Sequence, residues 1–153
     1  MTVARVLVVG LDPVKIQGWD PEPVQAAIAR GQARFDDHGI EADWCLVALD
    51  ESPEGMIVEA LTREDYVCVV IGGGIRKHEP LLEFFEKVVN LVRQHAPDAA
   101  IAFNSSPEDC ADAALRWLHR PGRAGGPDRA LITPQGPAPA WRESSAPHGG
   151  RLR

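Results

Sequence analysis

Two uninterrupted apolar runs decide most of what this chain can fold into. Arg5-Val6-Leu7-Val8-Val9-Gly10-Leu11 and Tyr66-Val67-Cys68-Val69-Val70-Ile71 show no alternation of polar with apolar residues, and both are rich in β-branched side chains. A strand that is apolar on both faces must be covered on both faces. Helix-flanked parallel sheets provide that cover, and half-exposed antiparallel sheets do not. Ala42-Asp43-Trp44-Cys45-Leu46-Val47-Ala48-Leu49 and Ala99-Ala100-Ile101-Ala102-Phe103 supply two more strands, so the expectation is a four-stranded parallel sheet.

Helical patterns separate the strands. Val24, Ala27, Ile28, Gly31 and Phe35 recur at helical spacing, and Gly39 ends that helix after His38. Ser52 reads as an N-cap, with Pro53 at the first helical position, Glu54 in the first turn, and Met56, Ile57, Ala60 and Leu61 as the buried stripe. A third helix runs from about Pro80 to His95 and stops before Pro97. Ser106-Pro107-Glu108-Asp109 caps a fourth, whose inward face is Ala111, Ala114, Leu115 and Leu118. Strands alternating with helices imply right-handed βαβ units in a three-layer α/β domain. Two strand orders fit, 2-1-3-4 and 3-2-1-4. The first is preferred, because the turn after strand one reads Gly10-Leu11-Asp12-Pro13 and lacks the GxGxxG fingerprint that goes with the second.

The domain is expected over residues 1–120, since composition changes there. Residues 121–153 hold six prolines and six glycines without periodicity, the composition of a largely disordered tail. Leu131, Ile132 and Trp141 are the groups through which part of it could dock. Five arginines against Asp128 and Glu143 give this tail a net charge of +3. Of the 16 basic and 22 acidic residues in the whole chain, the first 120 positions therefore keep 11 and 20, a net of −9. An acidic body is a poor partner for phosphates, so no nucleic-acid binding is expected. No membrane span is expected either, because no stretch approaches the ~18 consecutive apolar residues that one needs. The first residues run straight into a strand without a signal-peptide pattern. Cys45, Cys68 and Cys110 are odd in number and lack CxxC spacing, which fits a reducing, cytoplasmic setting. They are too dispersed for a metal site, and no second histidine stands at ligand spacing from His78, so no metal is expected.

The third helix carries eight apolar residues between Leu81 and Val92, among them Phe84, Phe85, Val88 and Val89. They span about half of its circumference, wider than the roughly 100° stripe that covers one sheet face. Either the helix is wedged between neighbours of its own domain, or it presents a homodimer face or a docking site for the tail.

In an open parallel sheet, ligands bind beyond the carboxyl ends of the strands where the strand order reverses. For order 2-1-3-4 that point lies between strands one and three. Asp12 ends the first, Gly72-Gly73-Gly74-Ile75-Arg76-Lys77-His78 follows the third, and Asn104-Ser105-Ser106 follows the fourth. Glycines let an anion approach backbone N–H groups, and Arg76 and Lys77 favour negative charge, although Glu79 partly opposes it. The candidate ligand-binding set is Asp12, Gly73, Gly74, Arg76, Asn104 and Ser105, for a small anionic or carbonyl-bearing metabolite. Asp12 is also the candidate acid–base carboxylate, with loop capping ahead of Pro13 as its structural alternative. Arg76 could clamp an anion or pair with a surface acid, Asn104 could contact a ligand or serve as a turn residue, and His78 could be an acid–base group or merely exposed.

These residues do not fit several families with the same outline. A phospho-receiver needs an acidic pair after strand one and an aspartate ending strand three; here Asp12 is single and strand three ends at Gly72. A flavodoxin needs a Ser/Thr-rich loop where Leu11-Asp12-Pro13-Val14 stands, and a cobalamin-binding domain needs histidine where Val14 stands. A thiol phosphatase needs Cys and Arg six apart, whereas Cys68 and Arg76 are eight apart. The segments from Tyr66 to Arg76 and from Ala102 to Asp109 resemble those of small bacterial proteins of no known activity with a flavodoxin-like or receiver-like outline. That resemblance implies a fold and no activity or cofactor. Two functions follow as expectations: a small-molecule-binding domain, which could be an enzyme, or a non-catalytic interaction module that dimerises or docks a partner through the third helix.

Overall fold

The four apolar runs pair as one parallel sheet in a computed structural model that describes residues 3–118. Its strands are β1 (Arg5–Leu11), β2 (Glu41–Val47), β3 (Cys68–Ile71) and β4 (Ala100–Phe103), in the order β2-β1-β3-β4. The register sets Val8 between Trp44 and Val70, and Val9 between Cys45 and Ile71. Ile71 then faces Phe103. The preferred order 2-1-3-4 is thus the one formed. The switch point lies between β1 and β3.

Helices α1 (Glu22–Asp37) and α5 (Cys110–Leu118) cover one face, and α2 (Pro53–Arg63) and α4 (Leu82–His95) cover the other. Successive strand residues serve opposite layers. Leu7, Val9, Val69 and Ile71 pack with Ile57, Leu61, Val88 and Val92, whereas Val6, Val8, Cys68 and Val70 pack with Phe35, Cys110, Ala111 and Ala114. Fully burying one such Leu, Ile, Val or Phe side chain is worth about 1.5–3 kcal/mol. A slip of one residue would exchange the two sets, so packing fixes the register. The three cysteines are buried thiols within these layers.

Several local expectations change. Strand β2 ends at Val47, so Ala48 and Leu49 leave the sheet, and Leu49 is 49% exposed. Ser52 precedes α2 but makes no capping bond with its side chain: its backbone is left-handed (φ +52°), not the extended form in which an N-cap hydroxyl reaches the N–H groups. Met56 lies outside the buried stripe and is 41% exposed. The glycine run is more than a turn, since Gly73–Arg76 forms a one-turn helix, α3. A 3₁₀ turn, Glu79–Leu81, then precedes α4, which begins two residues later than the sequence suggests. Gly39 does end α1, with φ +66°, while Ile40 N–H closes on the carbonyl of Phe35 at 3.0 Å.

The wide apolar stripe of α4 finds partners inside the domain. Val88 and Val92 are buried, and Phe84, Phe85, Val89 and Leu91 pack against the same core. Leu82 remains 61% exposed. Among the described residues no helix is long and apolar enough to cross a membrane. The proposed docking groups Leu131, Ile132 and Trp141 lie outside the described residues.

Candidate functional site

The loops beyond the strand ends satisfy much of their own polarity. Asp12 follows β1; its N–H donates to the carbonyl of Val47 (2.9 Å), and its Oδ1 accepts from the N–H of Val14 (3.0 Å), capping the 3₁₀ turn Pro13–Lys15. The second oxygen, Oδ2, has no hydrogen-bond partner among the described residues. Gly72 donates its N–H to the carbonyl of Val9 at 2.8 Å. A Cβ on Gly72 would stand 3.1 Å from that carbonyl oxygen, so glycine permits this close joining of the two strand ends.

Asn104 is the buried latch of the site, 4% exposed. Its Oδ1 accepts from the N–H of Gly73 (2.9 Å), and its Nδ2 donates to Cys110 Sγ (3.0 Å). One amide thereby ties the end of β4 to both α3 and α5. Burial pushes the Cys110 thiol up to about 11, so the sulfur stays protonated and acts as a weak acceptor, not a nucleophile. Next along the chain, the Asp109 carboxylate accepts from the N–H of Ser105 (2.9 and 3.1 Å) and from that of Ser106 (3.1 Å). Gly31 lets α1 approach this loop: a Cβ there would lie 2.2 Å from the carbonyl oxygen of Pro107.

Between these loops lies a cleft of about 890 Å³. Its apolar walls include Ile28 from α1, Trp44 and Leu46 from β2, Leu49 beyond it, and Trp19 from the loop before α1. Gly10 lines it as well. In β1 the side chains of Val6 and Val8 fill this layer, and position 10, next on the same face, has no side chain. A Cβ at Gly10 would meet only Leu46 Cδ2 at 3.5 Å, an ordinary contact. The hollow therefore exists partly because this strand end carries glycine.

Of the residues singled out from the sequence, Asp12, Gly73, Gly74, Asn104 and Ser105 line the cleft, together with Lys77 and His78. Arg76 does not line it. Its guanidinium donates to the carbonyl of Asn104 and lies over the ring of Phe103, 5.6 Å from the centroid, and its buried Nε has no partner. Helix geometry explains the separation. Gly73 and Lys77 are four residues apart and share a side of α3, whereas Arg76 is rotated by about 100° from Lys77. Lys77 donates to the carbonyl of Ser105 (2.6 Å), and Lys15 pairs with Glu51, whose hydrogen bond holds the lysine above its ordinary value.

Gly10, Trp19, Ile28, Trp44, Leu46 and Leu49 escaped the sequence reading of the site. Two signals were present: Trp44 and Leu46 share one side of β2 by period two, and Gly10 interrupts a run of β-branched residues. Among the described residues no group of three His, Cys, Asp or Glu side chains is arranged to hold a metal ion. Comparison with models of protein families, with curated proteins and with solved structures finds no match for this chain, so its fold and cleft stand on their own geometry.

Proposed function

We propose that this domain binds a small carbonyl-bearing molecule in the cleft beyond the carboxyl ends of β1 and β3. The observation that carries this reading is the cleft itself: about 890 Å³, apolar-walled, floored by Gly10 and placed at the topological switch point. A few polar groups converge on it. The N–H of Gly74 has no protein acceptor among the described residues, and Lys77 keeps protons beyond the one given to Ser105. Both suit a carbonyl oxygen. The other expected surface, the apolar side of α4, is largely taken up by the domain's own core.

Gly10→Val tests the reading without dismantling the fold, because the first added carbon meets only Leu46 Cδ2, at 3.5 Å, and Gly10 lines the cleft. Saturation-transfer NMR with a library of amide, ketone and carboxylate fragments is expected to find binders for the natural chain that Gly10→Val no longer binds. Equal binding by both proteins, or none by the natural chain, overturns the proposal.

A further inference from the structure

Resting on the cleft reading, we infer that this site is closed to phosphorylated and other strongly anionic ligands and takes an uncharged or cationic molecule with an apolar body. A phosphate site in a parallel α/β fold needs several backbone N–H groups aimed at one point, or cations free to pair with it. Here the protein fills most of those donors with its own oxygens and leaves the N–H of Gly74. The N–H of Gly73 is held by Asn104 Oδ1 at 2.9 Å, and those of Ser105 and Ser106 are held by the Asp109 carboxylate at 2.9–3.1 Å. Asp109 is an internal anion, seated where a ligand's anionic group would otherwise find its donors.

The cations do not reverse this. Arg76 lies outside the cleft against Phe103 and the Asn104 carbonyl. Lys15 is paired with Glu51, and Lys77 gives one of its protons to the Ser105 carbonyl. Asp12, Asp20 and Asp50 also line the cleft, so acids outnumber the two lysines there. A ligand phosphate would enter with its hydration stripped and find only the Gly74 N–H and the remaining Lys77 protons, too few donors to replace it, a net cost. Asp12 Oδ2 instead offers an acceptor, so an N–H, O–H or ammonium group on the ligand gains a charge-assisted bond there. The walls of Trp19, Trp44, Leu46 and Leu49 receive the apolar body.

The test uses matched pairs built around each fragment that binds the natural chain but not Gly10→Val, replacing a carboxamide by a carboxylate or a hydroxyl by a phosphate monoester. Calorimetric titration is expected to show the anionic member at least about tenfold weaker, a ratio equivalent to about 1.4 kcal/mol. Inorganic phosphate serves as a second probe. It is expected to leave the Ser105 and Ser106 amide signals of the natural chain unmoved, and to shift them saturably in Asp109→Ala, where the internal anion is gone. Equal or tighter binding of the anionic members, or a saturable phosphate shift in the natural chain, overturns the inference while leaving the cleft as a binding site. Absence of any fragment that discriminates Gly10→Val overturns the cleft reading and this inference with it. If Asp109→Ala does not fold, the matched pairs and phosphate on the natural chain decide.

Discussion

The two ends of the sheet handle polarity in opposite ways. At the amino end, side chains from different strands satisfy each other. Arg5 of β1 pairs with Glu41 and with Asp43 (3.4 Å) of β2 and reaches Glu64 at 3.9 Å, while Tyr66, 6% exposed, donates its hydroxyl to Asp43 (2.8 Å). At the carboxyl end, loops satisfy their own backbone through Asp12, Asn104 and Asp109, and what they enclose is a hollow with apolar walls. At the amino end side chains pair across β1 and β2, and at the carboxyl end the loops pair within and between themselves.

Gly31→Val is expected to break this contrast most severely. The lost glycine would gain some helix propensity, but a Cβ 2.2 Å from the Pro107 carbonyl oxygen forces α1 off the loop. Overpacking costs about 1–3 kcal/mol, more than the few tenths that valine gains over glycine in a helix. Urea unfolding is expected to show a net loss of about 2 kcal/mol or more, and an unchanged midpoint would mean that α1 does not rest on this loop.

Asn104→Ala removes the latch at the carboxyl end. It leaves the half-buried Gly73 N–H without its acceptor and Cys110 Sγ without its donor, for an expected loss of about 1–2 kcal/mol. Amide exchange at Gly73 is the specific readout: it should accelerate more than exchange in the middle of β1, and a uniform change would make Asn104 an ordinary core residue.

Tyr66→Phe probes the amino end, with an expected cost of about 1 kcal/mol near neutral pH for the lost bond to Asp43. Burial, followed by that bond, raises the Tyr66 hydroxyl above its ordinary range. The folded chain therefore holds this proton more tightly than the unfolded chain, and its contribution is complete below about pH 10 and declines as pH rises beyond it. Cys110, raised mainly by burial, acts in the same direction from a lower pH, so the difference between Tyr66→Phe and the natural chain carries the test. That difference should shrink above about pH 10; one that grows there would have the sign of the linkage wrong.

Arg76→Ala is the smallest expected effect and the sharpest on the site. Stability should fall by about 1 kcal/mol or less through loss of the guanidinium–Phe103 contact. Fragment affinity in the cleft should be unchanged, and a clear loss of affinity would return Arg76 to the binding site.

Much of this architecture was legible in the sequence. The runs at 5–11 and 66–71 require cover on both faces, and the missing glycine fingerprint after β1 favoured the order that formed. Asp12, Gly73, Gly74, Asn104 and Ser105 could be brought together because strand order alone places their loops at one edge. A four-residue helix is too short to show periodicity, so α3 and the turning away of Arg76 could not be read from the chain.

The sequence by itself thus determined the layers, the sheet and the edge at which the loops gather, because these follow from local patterns of apolar residues summed over whole elements. Only the tertiary structure decided which backbone donors the loops leave open. Whether a backbone N–H is free or taken depends on one side chain, such as Asn104 on Gly73 from 31 residues away, meeting it within about 3 Å. Spacing along a chain carries no record of a meeting that short-ranged.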